Sequence, residues 1–335
     1  MLVYIVRRLL LAALAIAGVL VITFFLTHVI PGDPVAAILG PQARESTIRE
    51  MRQRLGLDRP IYEQFLLYVN RLARGDLGNS IATHRPVLHD LREFLPATIE
   101  LATAAIIIGA GLGLAVGITA AVTRGSWIDH LTRFLSLIGL SMPVFWLGLI
   151  VLLLFYAWLG VLPGPGQIDI FVSPPPRITG LILIDSLLAR DLAALRNALG
   201  HLVLPALVLG SHALVGIARI TRASMLDVLG QDYMKVARAK GLTERTVILR
   251  HALKNALLPI ITVIGIYYGG LLEGAVLTET VFAWPGLGRY ATSAILSQDF
   301  AAVMGVTVLI ALIFSMANLL VDLAYGLLNP KIRYE

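Results

Sequence analysis

Long apolar runs separated by short polar segments dominate the chain. A membrane-spanning helix needs about 20 consecutive, mostly apolar residues. Runs of that kind fall at 9–30, 97–122, 134–160, 201–220, 257–278 and 301–323, so six spans are expected. The first lies between Arg7-Arg8 and Pro31-Gly32-Asp33-Pro34. It exceeds the about 7–15 apolar residues of a signal-peptide core, so it reads as an uncleaved span even though Ala13 and Ala15 mimic a cleavage site. The pattern predicts an all-α, polytopic membrane helix bundle.

The polar segments carry their own periodicity. Thr47 with Glu50 three residues later reads as a capping box opening a helix that Gly56 closes. A second helix is expected from Asp58 and Pro60 to Gly75, with Ile61, Phe65, Tyr68 or Val69, and Leu72 on one face. The pair forms a small helical cap on the bundle; whether it also docks an outside partner stays open. Segment 161–199 carries Pro163, Pro165 and Pro174 to Pro176, and is irregular where they fall. Gly109, Gly113 and Gly117 in the second run, and Gly265, Gly269, Gly270 and Gly274 in the fifth, have the four-residue spacing that lets membrane helices approach closely.

Composition narrows the class. Apolar residues make up 57% and charged residues 14% of the 335, against about 45–50% and about 25% in soluble domains. A soluble enzyme, a disordered chain and a collagen-like chain are excluded. With no cysteine, disulfides, thiolate metal sites, iron–sulfur ligation and cysteine nucleophiles are excluded too. The net charge of +6 fits basic loops on the inner side better than nucleic-acid binding. With the N-terminus inside, fourteen Lys and Arg flank the inner ends of the spans against four outside. The segment 31–96, with nine more, is set aside because long loops translocate largely regardless of charge. Both termini are therefore expected in the cytoplasm, and the cap outside.

The most informative segment is the inner loop between the fourth and fifth runs. From 219 to 254 it has eight basic residues against Asp227, Asp232 and Glu244, and strong helix formers punctuated by Gly241. A basic loop lying on anionic lipid accounts for the charge. It does not account for a helix–Gly–helix shape with Val236, Ala237 and Leu242 exposed.

This loop resembles the EAA loop of ABC-transporter permeases, whose pattern is Glu-Ala-Ala, three residues, Gly, nine residues, Ile-x-Leu-Pro. Gly241 falls on the glycine, Ala237 on the second alanine and Leu253 on the leucine. Lys235, His251 and Lys254 replace the glutamate, isoleucine and proline. These departures fit the branch that moves peptides and nickel, as do Ile30-Pro-Gly-Asp-Pro34, Arg74-Gly-Asp-Leu-Gly78 and Glu279-Thr-Val-Phe-Ala-Trp-Pro-Gly-Leu-Gly-Arg289. The chain looks most similar to the first permease subunit of dipeptide importers. The resemblance implies a terminal helix (1–30), an extracytoplasmic segment (31–96) and a permease core (97–335) whose coupling loop spans about 222–256. It also implies a prokaryotic inner-membrane location, a second permease, two ATPase subunits, an outside binding protein and a di- or oligopeptide cargo, with nickel, glutathione or haem as alternatives. Tyr233, Val236, Ala237, Arg238, Lys240, Gly241, Leu242 and Leu253 would then couple to the ATPase. No Gly-x-x-x-x-Gly-Lys-[Ser/Thr] occurs, so ATP and magnesium are expected on partner chains, with no cofactor and no catalytic or metal site on this one.

Two rival classes remain. Gly139-Leu140-Ser141-Met142 resembles the nucleophile segment of intramembrane serine proteases, with His201 or His212 as base; Ser141 also precedes Pro143 and can satisfy carbonyls freed at a kink. A secondary transporter would show internal repeats or several intramembrane charges. Glu273 is the clear ionisable residue inside a span, with Asn318 as a polar companion, while Asp322 reads as a solvated residue near the inner end. Ser141, Met142, Glu273 and Asn318 are the pathway candidates. For Glu273 two readings stand: a carboxylate meeting a substrate ammonium or metal ion, or one reaching water or a partner helix.

Overall fold

A computed structural model describes residues 2–29 and 44–328, with side chains left undescribed at 2–5, 27–29, 54–55, 273–274 and 320–328. The 30–34 motif and the terminal Lys331 and Arg333 lie outside these residues. The described elements are helices joined by loops, with one isolated bridge between Asn79 and Pro86.

Among the described residues, five helices are long and apolar enough to span a membrane. They are α1 (Leu2–Val29), α4 (Val87–Val122), α8 (Leu192–Leu229), α10 (Leu253–Gly274, continuous with the turns before it) and α13 (Phe300–Leu328). The expected third span is not one rod. α5 (Trp127–Ser141) and α6 (Val144–Val151, extended by a π-helical turn at Leu152–Trp158) meet at 103°. Pro143 has no N–H to donate and drives the preceding Met142 into an extended conformation (φ −83°, ψ 125°).

Other boundaries lie beyond the apolar runs. α4 starts ten residues before the expected 97, because polar Asp90, Arg92 and Glu93 in its first turns hid it from a hydropathy reading. Pro96 inside α4 leaves the Arg92 carbonyl without its helical donor. Arg177 Nη2 donates to that carbonyl at 3.3 Å and to the Glu93 carbonyl at 2.8 Å. α8 likewise starts early, at an Asp191 N-cap, and runs past the expected 220 to Leu229. α10 stops at Gly274, and a separate α11 (Val276–Val281) takes Thr278.

The cap consists of α2 (Glu45–Leu55) and α3 (Ile61–Ala73). α2 starts two residues before Thr47, and its N-cap Arg44 makes no side-chain cap bond, so the capping-box expectation fails. Gly56 does close it, at φ +71°. α3 lays Phe65, Tyr68 and Leu72 on Leu20 and Phe24 of α1 and Met304 and Val308 of α13. Ile61, expected on the same face, stays exposed.

α4 and α8 form the centre. A methyl group built on Gly109, Gly113 or Gly117 would meet the Gly210, Leu214 or Ala218 carbonyl at 2.8, 2.8 and 2.6 Å. The two backbones are therefore in direct contact along three turns. Two glycines of the fifth run do not work this way: Gly269 makes ordinary contact with Ala317 at 3.5 Å, and Gly270 faces open space.

Short elements gather at the two ends of these helices. One end, the crown, holds 76–100, α7 (Ile182–Leu188), α11, α12 (Leu287–Leu296) and the start of α13. The other holds the 123–129 turn and the basic loop. Overpacking a filled interface costs about 1–3 kcal/mol, so Gly117→Val is expected to lower the thermal midpoint in detergent by several degrees. Gly111→Ala, with nothing near its added methyl group, is expected to leave it unchanged or raise it slightly.

Candidate functional site: the basic loop and the crown

The basic loop is a folded unit. α8 ends at Leu229, and α9 (Asp232–Ala239) follows after Gln231. Gly241 then turns the chain at φ +76°, a left-handed conformation that glycine adopts without strain. Thr243 Oγ1 caps the next turn by accepting from Thr246 N, and a π turn (Val247–Ala252) leads into α10. Arg238 Nε donates to Glu244 Oε1 at 2.8 Å across the turn, and Lys235 Nζ reaches Asp232 Oδ1 at 2.9 Å.

The two faces of α9 differ. Met234 and Ala237, three residues apart, pack with Met225, Val247, Ala252 and Ala256. Tyr233 and Val236 are 46% and 53% exposed, and Leu242, Arg238 and Lys240 are also open to solvent. Ala237, expected to be exposed, is only 8% so. The helical period puts it on the inward face with Met234, where a larger side chain would displace the loop's own core. Leu253 is half-buried against the same core. The loop thus offers Tyr233, Val236 and Leu242 ringed by Arg238 and Lys240, while Ala237, Gly241 and Leu253 shape it from behind.

Beside the root of this loop, Asp129 of α5 accepts from Arg222 of α8 through Nε at 2.7 Å and Nη2 at 2.8 Å, and from Gly125 N at 3.1 Å. In the sequence Arg222 is one of eight basic residues in and beside the loop, and Asp129 belongs to no motif. The available signal was an acid in the first turn of an otherwise apolar amphipathic helix.

The pathway candidates do not converge. Ser141 Oγ donates to the Leu137 carbonyl at 2.9 Å, as expected beside a proline break, and Met142 is the extended residue of that break. Asn318 lines a cleft of about 450 Å³ between α1 and α13, together with Arg8. Glu273 falls in the last turn of α10, and its side chain lies outside the described residues, as does that of Asp322. For a serine hydrolase the necessary pair is missing among the described residues. His201 faces the Gly164 carbonyl (3.1 Å) and Asp169 (3.3 Å), and the buried Nδ1 of His212 has no hydrogen-bond partner. Among the described residues no cluster of three or more His, Asp or Glu could hold a metal.

At the crown, motifs distant in sequence meet. Glu279 is fully buried and accepts from Thr98 Oγ1 (2.7 Å), Gly288 N (2.7 Å) and Arg289 N (3.0 Å). Burial pushes its carboxyl above the usual range, against the pull of these three donors. Trp284, also fully buried, donates Nε1–H to the Ala97 carbonyl at 2.8 Å. Gly286 has no room for a side chain beside the Glu279 carboxylate. Asp299 accepts from Ser80 Oγ (2.5 Å) and Ile81 N (2.7 Å), and Asp90 from Tyr290 OH (3.0 Å). Nothing local in the sequence separates Asp90, Thr98 and Asp299 from ordinary loop polar residues.

A packed all-α membrane bundle with a structured basic loop at one end and a tied crown at the other is the architecture of a transport permease. The chain belongs to the family described as "Binding-protein-dependent transport system inner membrane component", matched over residues 113–334, with the N-terminal component of the same systems matched over 1–102. It is thus a multi-pass inner-membrane component, and the protease and secondary-transporter classes fall away. Among curated relatives, it is 49% identical to the probable D,D-dipeptide transport system permease protein DdpB of Escherichia coli K12, covering 95% of this chain and 94% of that one. It is 45% identical to the di/tripeptide transport system permease protein DppB of Pseudomonas aeruginosa and 37% identical to the glutathione transport system permease protein GsiC of Escherichia coli, both over the full lengths. A chain of the MetNI methionine ABC transporter in an inward-facing form shares the fold, with a TM-score of 0.52 at 19% identity, over 70% of this chain and 93% of that one.

A buried donor left unpaired costs about 1–3 kcal/mol. Glu279→Ala, which strands three, is therefore expected to lower the thermal midpoint in detergent well below that of Arg289→Ala, whose guanidinium reaches only an exposed carbonyl. Glu279→Gln, which keeps an acceptor oxygen, should fall between them.

Proposed function

We propose that this chain is one permease of an ATP-driven importer of di- and oligopeptides. It forms half of the translocation pathway beside a second, related permease, receives cargo from a binding protein at the crown, and meets an ATPase subunit at the basic loop. The observation that carries the coupling role is the division of the loop into a buried root and an exposed face. Tyr233, Val236 and Leu242 are held out by a folded core rather than by a flexible turn. Apolar side chains in a basic ring suit insertion into a groove on a partner protein, and lipid binding alone would not require them. Peptide cargo is supported by the names of the relatives at 45–49% identity, which span nearly all of the chain.

The excess of Lys and Arg at the loop end supports a cytoplasmic position for that end and for both termini. ATP and magnesium then sit on the partner subunits. Glu273 and the Ser141–Met142 break stay candidates for the pathway, the first towards the crown and the second within the bundle.

Val236→Glu is expected to leave the thermal midpoint unchanged and to abolish dipeptide uptake into vesicles holding the assembled importer, while binding-protein-independent ATP hydrolysis continues. Ala237→Leu should instead destabilise the loop, and wild-type uptake by Val236→Glu would refute the coupling role. Reconstituted alone, the chain is expected neither to hydrolyse ATP nor to accumulate a labelled dipeptide under a proton or sodium gradient. Gradient-driven uptake by the lone chain would overturn the reading.

A further inference from the structure

The pair Asp129–Arg222 lies outside every function assigned so far. Its side chains are 1% and 23% exposed, and the guanidinium meets the carboxylate with two parallel N–H donors. Such a fork fixes orientation as well as distance. Asp129 is also the one residue of α5 that is buried. Elsewhere that helix presents Trp127, Leu131, Phe134, Leu135 and Leu137 outward, and near its far end Gly139 touches Val215.

Each side of the pair leads somewhere different. Arg222 stands in the last two turns of α8, which is joined backbone to backbone with α4 and ends seven residues later at the loop root formed by Met225, Met234 and Val247. On the other side α5 runs from Asp129 to the 103° break at Met142 and Pro143. Beyond the break, Gly148 of α6 rests on Val281 and Phe282 of the crown, with Val208 from the crown-side half of α8 beside them. α5 is thus gripped at the loop end and disconnected from the crown by a proline.

The geometry points to Asp129 and Arg222 as positioning residues that make α5 move with the coupling loop, while the Met142–Pro143 break absorbs the displacement so that α6 stays with the crown. This rests on the coupling role proposed above. The partner-driven stroke enters at α9 and is carried sideways by a charge-paired fork.

The chain has no cysteine, so spin labels go on introduced ones, with an importer assembled from the cysteine-free chain identifying any label on the partner subunits. Leu131→Cys with Arg245→Cys reports α5 against the loop, and Leu296→Cys of α12 with Arg245→Cys reports the crown against the loop; all three positions are exposed. In the assembled importer, the crown–loop distance should change between nucleotide-free and ATP-trapped states, while the α5–loop distance stays constant. In Arg222→Gln the α5–loop distribution should broaden and become state-dependent, and dipeptide uptake per ATP hydrolysed should fall severalfold. If α5–loop distances stay sharp and constant in Arg222→Gln, or already vary without it, the inference is wrong although coupling stands. If the crown–loop distance never changes, the coupling role itself fails and takes the inference with it. Should Arg222→Gln not assemble, Arg222→Lys, which keeps the charge but loses the fork, is read by the same two distances.

Discussion

Everything in this molecule is arranged around two helices that touch through their backbones. In lipid there is little hydrophobic gain from bringing helices together, so association relies on close packing and on satisfied polar groups. α4 and α8 achieve it with Gly109, Gly113, Gly117 and Gly210, whose missing side chains let carbonyls come within van der Waals reach of the facing Cα atoms. At one end of this slab α8 continues towards the coupling loop; at the other, Thr98 and Ala97 of α4 receive Leu287 and Trp284.

Polar groups do the fastening at the ends. The crown is held by buried carboxylates that accept from backbone N–H groups and hydroxyls, and the loop end by one bidentate arginine pair. Removing one partner of a buried ion pair costs about 3–5 kcal/mol, mostly because the other is left uncompensated. Such contacts specify a geometry more than they add to stability. That suits a subunit whose elements must keep register with partners on both sides of a membrane.

Much of this was legible in the order of residues. Apolar run lengths give the five long helices, and Gly56 ends α2 where its conformational freedom is needed. The loop's helix–Gly–helix form and its resemblance to a permease loop lead to the right family. What escaped has physical reasons. Hydropathy misses helix turns such as those at Asp90 and Glu93, which are polar because they serve the crown. An amphipathic eight-residue helix does not declare which face is inward, and so Ala237, expected outside, is buried in α9 while Val236 is exposed as expected. Tertiary acids such as Asp129 and Asp299 have their partners 93 and up to 219 positions away, beyond any local pattern.

Pro96 ties the 161–199 segment to the permease core. The proline frees a carbonyl in α4, Arg177 from that segment occupies it, and Gly180, at φ +83°, has no room for a side chain beside the proline ring. One turn further along, Glu100 accepts from Gln167 Nε2 and Leu183 N of the same segment. The segment is therefore stitched to α4 over two successive turns, so the stretch from Arg177 to Leu183 takes its position from the helix and not from its own prolines.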